Sequence, residues 1–401
     1  MPDLKALLQH MRTRDASDLH LRVGMPPTYR INGKLIKTDY PALESEEMDV
    51  IIGEVLSRSQ RSVFDEEMEF DTALDLPELG RFRVNAYRQR NNIAIVFRAI
   101  KSAILDFKSL NLPLVLSKIC MRQRGLILVT GATGTGKSTT LAAMIEYINA
   151  NSNMNIVTIE DPIEFVHENK ECIIAQREVG GDTHSFNHAL RHILRQDPDV
   201  ILIGEIRDME TMTVALKAAD SGHLVLTTLH TVDATQTVNR VISFFPLDQQ
   251  QHVRLLFSTN LEAIISQRLL PMADGRARIP AVEVLVATAA VRDNILDATK
   301  SHLIPALIEA GTTQYGMQTF DQSLLQLFQR GLVDLEVAKK FSTHPGDFEL
   351  KVAGIVGASD RSLRFFDKEA ESLEPEAPKL EAEEPEESPK DEESPERSKK
   401  S

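Results

Sequence analysis

Residues 125–148, GLILVTGATGTGKSTTLAAMIEYI, decide the fold of this chain. The apolar run at 126–129 predicts a buried strand, and residues 139–148 carry apolar side chains at helical spacing. The loop between them, GATGTGKS at 131–138, is rich in glycine. Because glycine accepts backbone conformations that other residues avoid, such a loop can turn successive N–H groups towards an anion. The order of strand, glycine loop and helix predicts a phosphate-binding loop.

The side chains of this loop suit a nucleoside triphosphate with Mg²⁺. Lys137 can reach the β- and γ-phosphates as a point charge, and the Ser138 hydroxyl can bind the metal. The alternative is a plain glycine turn, but the pattern GxxxxGKS/T arises by chance in roughly one chain of this length in a hundred. We therefore predict nucleotide contacts from Gly131, Thr133, Gly134, Thr135, Gly136, Lys137, Ser138 and Thr139.

The composition limits the class of protein. A chain of 401 residues predicts about two or three domains. Its two cysteines, Cys120 and Cys172, form no CxxC pair, which excludes a disulfide framework and a four-cysteine zinc site built from this chain. We see no signal peptide and no apolar run of roughly 18 residues, so we expect no membrane insertion. The low cysteine content fits a reduced, cytoplasmic setting better than an oxidising, extracellular one.

The net charge of −14 is concentrated at the end of the chain. Residues 369–401 hold 13 acidic and 5 basic residues, five prolines and no aromatic residue, and so contribute −8. This composition predicts a disordered acidic tail, which we place at 356–401. The tail is either a solubilising extension or a docking or regulatory segment. Because the remainder is only mildly acidic, we expect no nucleic-acid partner.

Residues 1–100 predict a small α+β domain with an antiparallel sheet. Asn32-Gly33, between two short strand-like runs, indicates a hairpin with a type I′ turn. Residues 101–118 then form a linker with a helix that leads into the next domain. The expected helices are 4–14 and 44–56, and the expected strands are 16–23, 29–31, 34–36, 69–76, 81–87 and 92–98.

Two arginines stand side by side on one predicted strand. In RFRVNA, at 81–86, alternation places Arg81 and Arg83 on the face opposite the apolar residues. Two neighbouring arginines can meet phosphates across a domain or subunit boundary. The alternative is a strand face that is simply solvated, and spacing alone does not choose between them.

Beyond the glycine loop, strands alternate with helices, which predicts a parallel sheet covered by helices. The expected strands are 155–159, 200–203 and 223–229, and the expected helices are 186–195, 209–219 and 234–242. Functional groups gather where parallel strands end at their carboxyl edge. Polar segments follow these three strands: EDPIE at 160–164, GEIRD at 204–208 and HT at 230–231.

These strand ends supply groups suited to hydrolysis of a phosphoanhydride. One carboxylate can hold the water shell of Mg²⁺, another can orient or deprotonate the attacking water, and a polar group can sense the γ-phosphate. Alone, an acidic residue after a strand is more often a helix cap, and a single histidine more often satisfies local hydrogen bonds. Because the three segments follow a phosphate-binding loop, we interpret them as one catalytic set.

The last part of the chain has a helical pattern. We therefore expect a nucleotide-binding core at 119–282 and a mostly helical C-terminal subdomain at 283–355. The expected helices are 248–268, 288–299, 301–311, 319–330 and 335–343, interrupted by a strand at 281–286.

Several of these segments resemble known motifs. GATGTGKSTT, IEDPIE, DPDVILIGEIRD and GHLVLTTLHT are similar to the Walker A, Asp box, Walker B and His box of secretion ATPases. ASDLH at 16–20 and GRFRVN at 80–85 match the N-terminal domain of that superfamily. More closely, residues 1–355 resemble the PilT/PilU family of type IV pilus retraction ATPases. Extension ATPases of the superfamily carry a four-cysteine zinc site that this chain cannot build, which favours the retraction branch.

The resemblance implies an α/β architecture: a PAS-like α+β N-terminal domain and a RecA-like P-loop ATPase domain with a helical C-terminal cap. It also implies a homohexameric ring with ATP between subunits. Lys137 and Ser138 resemble the phosphate and Mg²⁺ ligands, and Glu205 resembles the Mg²⁺-linked acid. Glu164 resembles the catalytic glutamate, and His230 resembles the His-box residue.

Arg81 and Arg83 resemble the arginines that reach the nucleotide in this family, and the resemblance leaves open which of Arg88 and Arg98 joins them. It implies a cytosolic, Mg²⁺-dependent ATPase that drives pilus retraction and twitching motility at the inner-membrane base of the pilus. The expected partners are an inner-membrane platform protein and a paralogous retraction ATPase. The hinge between the two domains is expected near 100–118.

Two alternatives stay open. The segment AVRDNIL at 290–296 differs from the AIRNLI-like motif of the principal retraction motors. GMQTFDQSL at 316–324 and FELKVAG at 348–354 are closer to an accessory, PilU-like ring with little motor activity of its own. The other alternative is a nucleic-acid translocase. The sequence argues against it, because it contains no basic stretch with interspersed aromatic residues.

Overall fold

The computed structural model describes residues 3–31, 33–100 and 104–354. Within these residues the chain forms two β-sheets, each packed against helices, and a helical C-terminal region. The α/β fold class predicted from the sequence is confirmed. The predicted disordered tail at 356–401 lies outside the described residues. In the described part, no helix combines the length and the apolar character needed to cross a bilayer.

The N-terminal part contains α1 (Leu4–Thr13), β1 (Asp18–Arg22), β2 (Thr28–Ile31), β3 (Lys34–Lys37), α2 (Ser45–Val55), α3 (Arg58–Glu67), β4 (Glu69–Leu76), β5 (Gly80–Gln89) and β6 (Asn92–Ala99). Its strands form an antiparallel sheet in the order β3–β2–β1–β6–β5–β4. The predicted alternation holds, because Phe82 and Val84 are fully buried and Arg83 between them is exposed. Helix α3 was not predicted, although its capping box of Ser57 and Gln60 is a sequence signal for a helix start.

The second sheet carries the glycine loop. Its elements up to residue 243 are α4 (Val115–Cys120), β7 (Gly125–Thr130), α5 (Lys137–Asn151), β8 (Asn155–Glu160), β9 (Ile173–Glu178), α6 (Phe186–Ile193), β10 (Val200–Ile203), α7 (Met209–Asp220), β11 (Leu224–Leu229) and α8 (Ala234–Ser243). The strands are parallel, in the order β7–β11–β10–β8–β9. Every residue of β7, β10 and β11 is buried, as expected for parallel strands covered by helices on both faces.

The predicted helix at 248–268 is wrong in its second half. Residues Gln250–Asn260 form α9, but Leu261–Pro271 form strand β12, which pairs in parallel with β7. The next strand, β13 (Arg278–Val286), pairs antiparallel with β12 and completes the sheet as β13–β12–β7–β11–β10–β8–β9. A strand buried on both faces shows no period-two alternation, so its apolar run extends a helical pattern without a visible break.

The C-terminal region contains α10 (Ala289–Leu296), a 3₁₀ helix (Ala298–Leu303), α11 (Ile304–Ala310), α12 (Thr312–Tyr315), α13 (Phe320–Gln329), α14 (Leu335–Phe341) and α15 (Pro345–Val352). Phe320, Leu324 and Phe348 form an apolar cluster with Leu270 of β12 and Ile279 of β13. The predicted strand at 281–286 and the predicted helices after it are confirmed, whereas α15 was not predicted. Strand β13 runs across the predicted domain limit at 282/283, and that limit stays a prediction.

Candidate active site

The glycine loop adopts a backbone that requires its glycines. Gly131, Gly134 and Gly136 have φ angles of +146°, +80° and +95°, which residues with a Cβ rarely adopt. A Cβ at Gly131 would lie 2.6 Å from the backbone O of Gln267. The loop therefore runs directly against β12 and ends where α5 begins, at Lys137.

Lys137 is buried inside the loop, with 8% of its surface exposed. Its Nζ donates hydrogen bonds to the backbone O of Gly131 at 2.9 Å and of Ala132 at 3.0 Å. Burial lowers the pKa of Lys137, and the carboxylates of Glu205 and Glu164 oppose that shift. The two carboxylates predicted for catalysis thus lie within electrostatic range of the lysine predicted to bind phosphate.

Glu205 follows β10 and His230 follows β11, and these strands are neighbours in the sheet. The Nε2 of His230 lies 3.0 Å from Oε2 of Glu205. The other carboxylate oxygen of Glu205 contacts the guanidinium of Arg207. The turn before Glu205 is fixed to β11, because the Thr228 hydroxyl donates to the backbone O of Gly204 at 2.7 Å. The structure thus brings two of the predicted catalytic residues into direct contact.

Glu164 lies in the loop that follows β8, where a hydrogen bond from the preceding residue fixes the backbone. The N–H of Glu164 lies near the carboxyl group of Glu160, whose pKa is raised by burial. The hydroxyl of Thr158 donates to Glu160, at 2.7 Å. One residue before Glu164, the N–H of Ile163 donates to Oε2 of Glu178 at 3.1 Å. Glu164 itself is exposed, so a fixed backbone presents an accessible carboxylate.

The two arginines predicted to reach a nucleotide have different surroundings. The guanidinium of Arg81 forms ion pairs with Glu178 at 2.6 Å and with Asp75 at 2.7 Å. The side chain of Arg83 is 45% exposed, and its Nη2 lies 4.0 Å from a carboxylate oxygen of Asp71. Among the described residues, no hydrogen bond or ion pair joins either arginine to the glycine loop. Their contact with a nucleotide stays a prediction.

The two other arginines considered from the sequence are engaged within the N-terminal part. Arg88 pairs with Asp65 at 2.8 Å and lies over the ring of Phe64. Arg98 pairs with the buried carboxylate of Asp18 at 2.8 Å. Neither environment distinguishes one of them as a further nucleotide contact, so that choice stays open.

Two residues of this region, Gln267 and Glu178, were missed because they belong to no motif, and Thr140, the last residue of GATGTGKSTT, was given no role. Gln267 is 1% exposed, and its Nε2 donates to the hydroxyl of Thr140 in α5 at 2.7 Å. Its place beside the glycine loop follows only from strand β12, which the sequence pattern assigned to a helix. Glu178 ends β9, a strand whose polar second half, QRE, gave no apolar run to detect.

Ser138 and Glu205 are the residues predicted to hold Mg²⁺. Ser138 lies in the first turn of α5, and Glu205 is close enough to Lys137 to affect its pKa. Across 3–31, 33–100 and 104–354, no group of three or more His, Cys, Asp or Glu side chains is arranged to hold a metal by itself. Mg²⁺ in nucleotide sites is bound by one or two protein oxygens together with phosphates and waters. A hydroxyl and a carboxylate beside a phosphate-binding loop fit that requirement.

Known proteins resemble the chain along most of its length. Residues 1–313 match the family described as "Type II/IV secretion system protein". "Type IV pilus retractation ATPase PilT" of Pseudomonas aeruginosa is 42% identical over 346 residues, which cover 86% of this chain and 100% of that protein. "Type IV pilus ATPase PilU" of the same organism is 42% identical over 350 residues, which cover 87% of this chain and 91% of that protein.

A solved structure extends the likeness to three dimensions. The "Crystal Structure of the Pilus Retraction Motor PilT and Bound ADP" matches with a TM-score of 0.80 at 42% identity, covering 87% of this chain and 99% of that one. This match confirms the predicted architecture of an N-terminal domain, a RecA-like core and a helical C-terminal region. The resemblance inferred from the motifs is confirmed as well.

Proposed function

The chain belongs to the type II/IV secretion system protein family, and we propose that it is a Mg²⁺-dependent ATPase that powers the retraction of type IV pili. The observation that carries this proposal is the convergence of Lys137, Glu164, Glu205 and His230 at one edge of the parallel sheet. The likeness to a retraction motor with bound ADP supports an adenine nucleotide as the ligand. Twitching motility is the cellular process that such a motor would drive.

In this proposal the glycine loop grips the phosphates with its backbone N–H groups. Lys137 exchanges its carbonyl partners, Gly131 and Ala132, for oxygens of the β- and γ-phosphates. Fixed donors of this kind stabilise the charge that spreads over the phosphoryl oxygens during transfer. When bound, Mg²⁺ would be held by Ser138 and Glu205 and would supply further positive charge beside the phosphates.

The carboxylates and the histidine have separate roles in hydrolysis. Glu164 orients or deprotonates the attacking water, which requires an accessible carboxylate on a fixed backbone. His230 responds to the γ-phosphate and transmits its state to Glu205 through their 3.0 Å contact. Because Glu205 also contacts Arg207, a change at the γ-phosphate alters a connected set of charges.

The motor acts as a cytoplasmic homohexamer at the inner-membrane base of the pilus, where it docks on a platform protein. We assign 1–100 to the N-terminal domain, 101–118 to the linker, 119–282 to the ATPase core and 283–355 to the helical subdomain. Closure of the N-terminal domain over the nucleotide, about a hinge near 100–118, converts hydrolysis into rotation. Arg83, which is exposed, reaches the nucleotide of a neighbouring subunit.

Steady-state phosphate release by the purified protein tests this function. Lys137→Ala should abolish release, because it removes the charge that the phosphates meet. Lys217→Ala on α7 is the matched control, since it removes an exposed lysine from the same part of the fold. ATP hydrolysis that survives in the Lys137 variant, or that is missing from the wild type, would contradict the proposal.

An accessory role is the second candidate, because the PilU relative is as similar to this chain as the PilT relative. An accessory ring binds nucleotide and assists a paralogous motor without strong turnover of its own. Counting surface pili in cells that lack this protein separates the two roles. Many non-retracting pili indicate the principal motor, and normal numbers with a mild motility defect indicate the accessory ring.

A further inference from the structure

Glu178 joins the N-terminal sheet to the loop that carries Glu164. Its Oε2 accepts one hydrogen bond from the guanidinium of Arg81 at 2.6 Å and a second from the N–H of Ile163 at 3.1 Å. Arg81 belongs to β5 of the N-terminal sheet, and Ile163 precedes Glu164 in the loop after β8. A single carboxylate oxygen thus contacts both parts of the chain.

The contact is largely shielded from water. The side chain of Glu178 is 10% exposed and that of Arg81 is 16% exposed. Charge-assisted hydrogen bonds in such surroundings are stronger than those on the open surface, and removal of one partner leaves the other buried without its counter-charge. The pair therefore holds its geometry more firmly than an exposed ion pair would.

Both ends of the contact are anchored. Glu178 is fixed at the end of β9, where its N–H donates to a carboxylate oxygen of Asp182 at 2.9 Å and its Cα is paired with Glu160 across the sheet. Arg81 is held from the N-terminal side by Asp75, at 2.7 Å. A displacement of the N-terminal sheet therefore pulls on Glu178 through a short, defined connection.

The effect at Glu164 follows from chain geometry. Ile163 and Glu164 are consecutive, so their Cα atoms are about 3.8 Å apart and the backbone of one cannot move without the other. Ile163 is 4% exposed, and its buried side chain keeps the loop seated while its N–H holds Glu178. The position of Arg81 is therefore transmitted to Glu164 across two hydrogen bonds and one peptide unit.

From this arrangement we propose that Arg81 and Glu178 are positioning residues that couple the placement of the N-terminal domain to Glu164. The inference rests on the proposed function, because it takes Glu164 as the residue that acts on the attacking water. The proposal gives the two neighbouring arginines different roles. Arg81 contacts Glu178 within its own chain, and Arg83 is the arginine available to a nucleotide. The catalytic carboxylate is then in place only when the N-terminal domain is docked.

A double-mutant cycle in the full-length protein tests the coupling. Arg81→Ala and Glu178→Gln should each lower kcat for ATP about tenfold and leave KM within a factor of two, because they misplace Glu164 without touching the nucleotide. The double variant should also fall about tenfold, since both changes break the same contact. A hundredfold loss in the double variant would show that the two residues act independently, and a raised KM in Arg81→Ala alone would show that Arg81 contacts the nucleotide; either result would overturn the inference.

Glu178→Gln keeps an oxygen for the Ile163 N–H and is nearly isosteric, so it preserves the fold while it removes the charge facing Arg81. Two further variants serve as controls. Arg81→Lys should recover part of the lost kcat, because it restores the positive charge without the fork of donors. No recovery by lysine would contradict a role for the charge. Arg58→Ala, at an exposed position on α3, is the matched control and should behave like the wild type.

Hydrogen exchange gives a readout that does not depend on ATP turnover. The backbone amides of residues 161 and 163–165 should exchange faster in Arg81→Ala than in the wild type or in Arg58→Ala, in the absence of nucleotide. Unchanged exchange there would overturn the coupling even if kcat falls. Faster exchange in a protein whose wild type releases no phosphate would leave the contact established and instead contradict the proposed ATPase function.

Discussion

The imidazole Nε2 of His230 lies 3.0 Å from a carboxylate oxygen of Glu205, although the two residues are 25 positions apart in the sequence. The contact exists because β10 and β11 are parallel neighbours with Ile203 paired to Thr227, so both strands end at the same edge. Lys137 is near enough to sense the same carboxylate. The residues that we propose as the γ-phosphate sensor and the Mg²⁺-linked acid therefore form one connected unit.

Glu205→Ala should reduce the rate of ATP hydrolysis by at least roughly a hundredfold, because it removes a charge linked to Mg²⁺ and the partner of His230. Phosphate release at saturating ATP measures the effect. Glu46→Ala on α2, at an exposed position, serves as the control and should hydrolyse ATP at the wild-type rate. A rate for Glu205→Ala near that of the control would mean that the acid at the end of β10 has been assigned wrongly.

Gly131→Ala should weaken nucleotide binding and destabilise the fold. Its φ of +146° disfavours any side chain, and the new Cβ would meet the backbone O of Gln267 at 2.6 Å. We expect a loss of about 1–3 kcal/mol in the free energy of unfolding. Gly53→Ala in α2 should instead raise the free energy of unfolding by about 0.5–1 kcal/mol, because nothing lies within 4 Å of its added Cβ. Thermal unfolding with and without ADP compares the two, and equal effects would refute the argument.

Glu283→Gln should change how stability depends on pH. Burial raises the pKa of Glu283 from 4.5 to about 7, and Asp233 adds to this, while the N–H of Ala234 and the charge of Arg268 oppose it. A raised pKa means that the folded state holds the proton more tightly, so this contribution is complete below pH 4.5 and is lost as the pH rises through about 7.

The glutamine variant lacks this titration but keeps an oxygen for the Ala234 N–H, which Glu283 now holds at 2.8 Å. Its melting temperature, relative to the wild type, should therefore rise between pH 5 and pH 8 as the wild-type carboxyl ionises, a range that spans the raised pKa of about 7. Thermal unfolding at both pH values measures the difference. A difference that does not change with pH would show that Glu283 does not titrate in this range.

Ile264→Ala in β12 should lower the free energy of unfolding by about 2–5 kcal/mol, because the side chain is fully buried on a strand that lies between β13 and β7. Leu255→Ala in α9, whose residue is 52% exposed, should cost well under half as much. Chemical denaturation of both variants tests the assignment of the segment after residue 260 to a buried strand. Similar losses would instead fit a helix with one exposed face.

The parts of the fold that sequence predicted are those where a local signal and the tertiary structure agree. The glycine loop was found because Gly131, Gly134 and Gly136 meet a backbone requirement that only glycine satisfies well. The strand ends at Glu205 and His230 were found because short apolar runs stop abruptly before polar residues. The convergence of these ends then follows from parallel topology alone.

The parts that sequence missed depend on partners distant in the chain. Strand β12 shows no alternation because both of its faces are covered, so nothing local distinguishes it from the helix before it. The ion pair between Arg81 and Glu178 joins residues 97 positions apart, and strand alternation predicts only that Arg81 points away from its own core. Such contacts appear only when two sheets are placed together.

The position of β12 has a consequence for how the nucleotide site comes into being. The four motifs assigned to the nucleotide site end by Thr231. The wall behind Gly131 is nevertheless supplied by Gln267, and β12 is held in turn by β13, which ends at Val286. During synthesis on the ribosome, the site therefore stays incomplete until well after its last motif has emerged. A truncated protein ending at residue 250 should fail to retain ADP, and one ending at residue 354 should retain it, which equilibrium dialysis can decide.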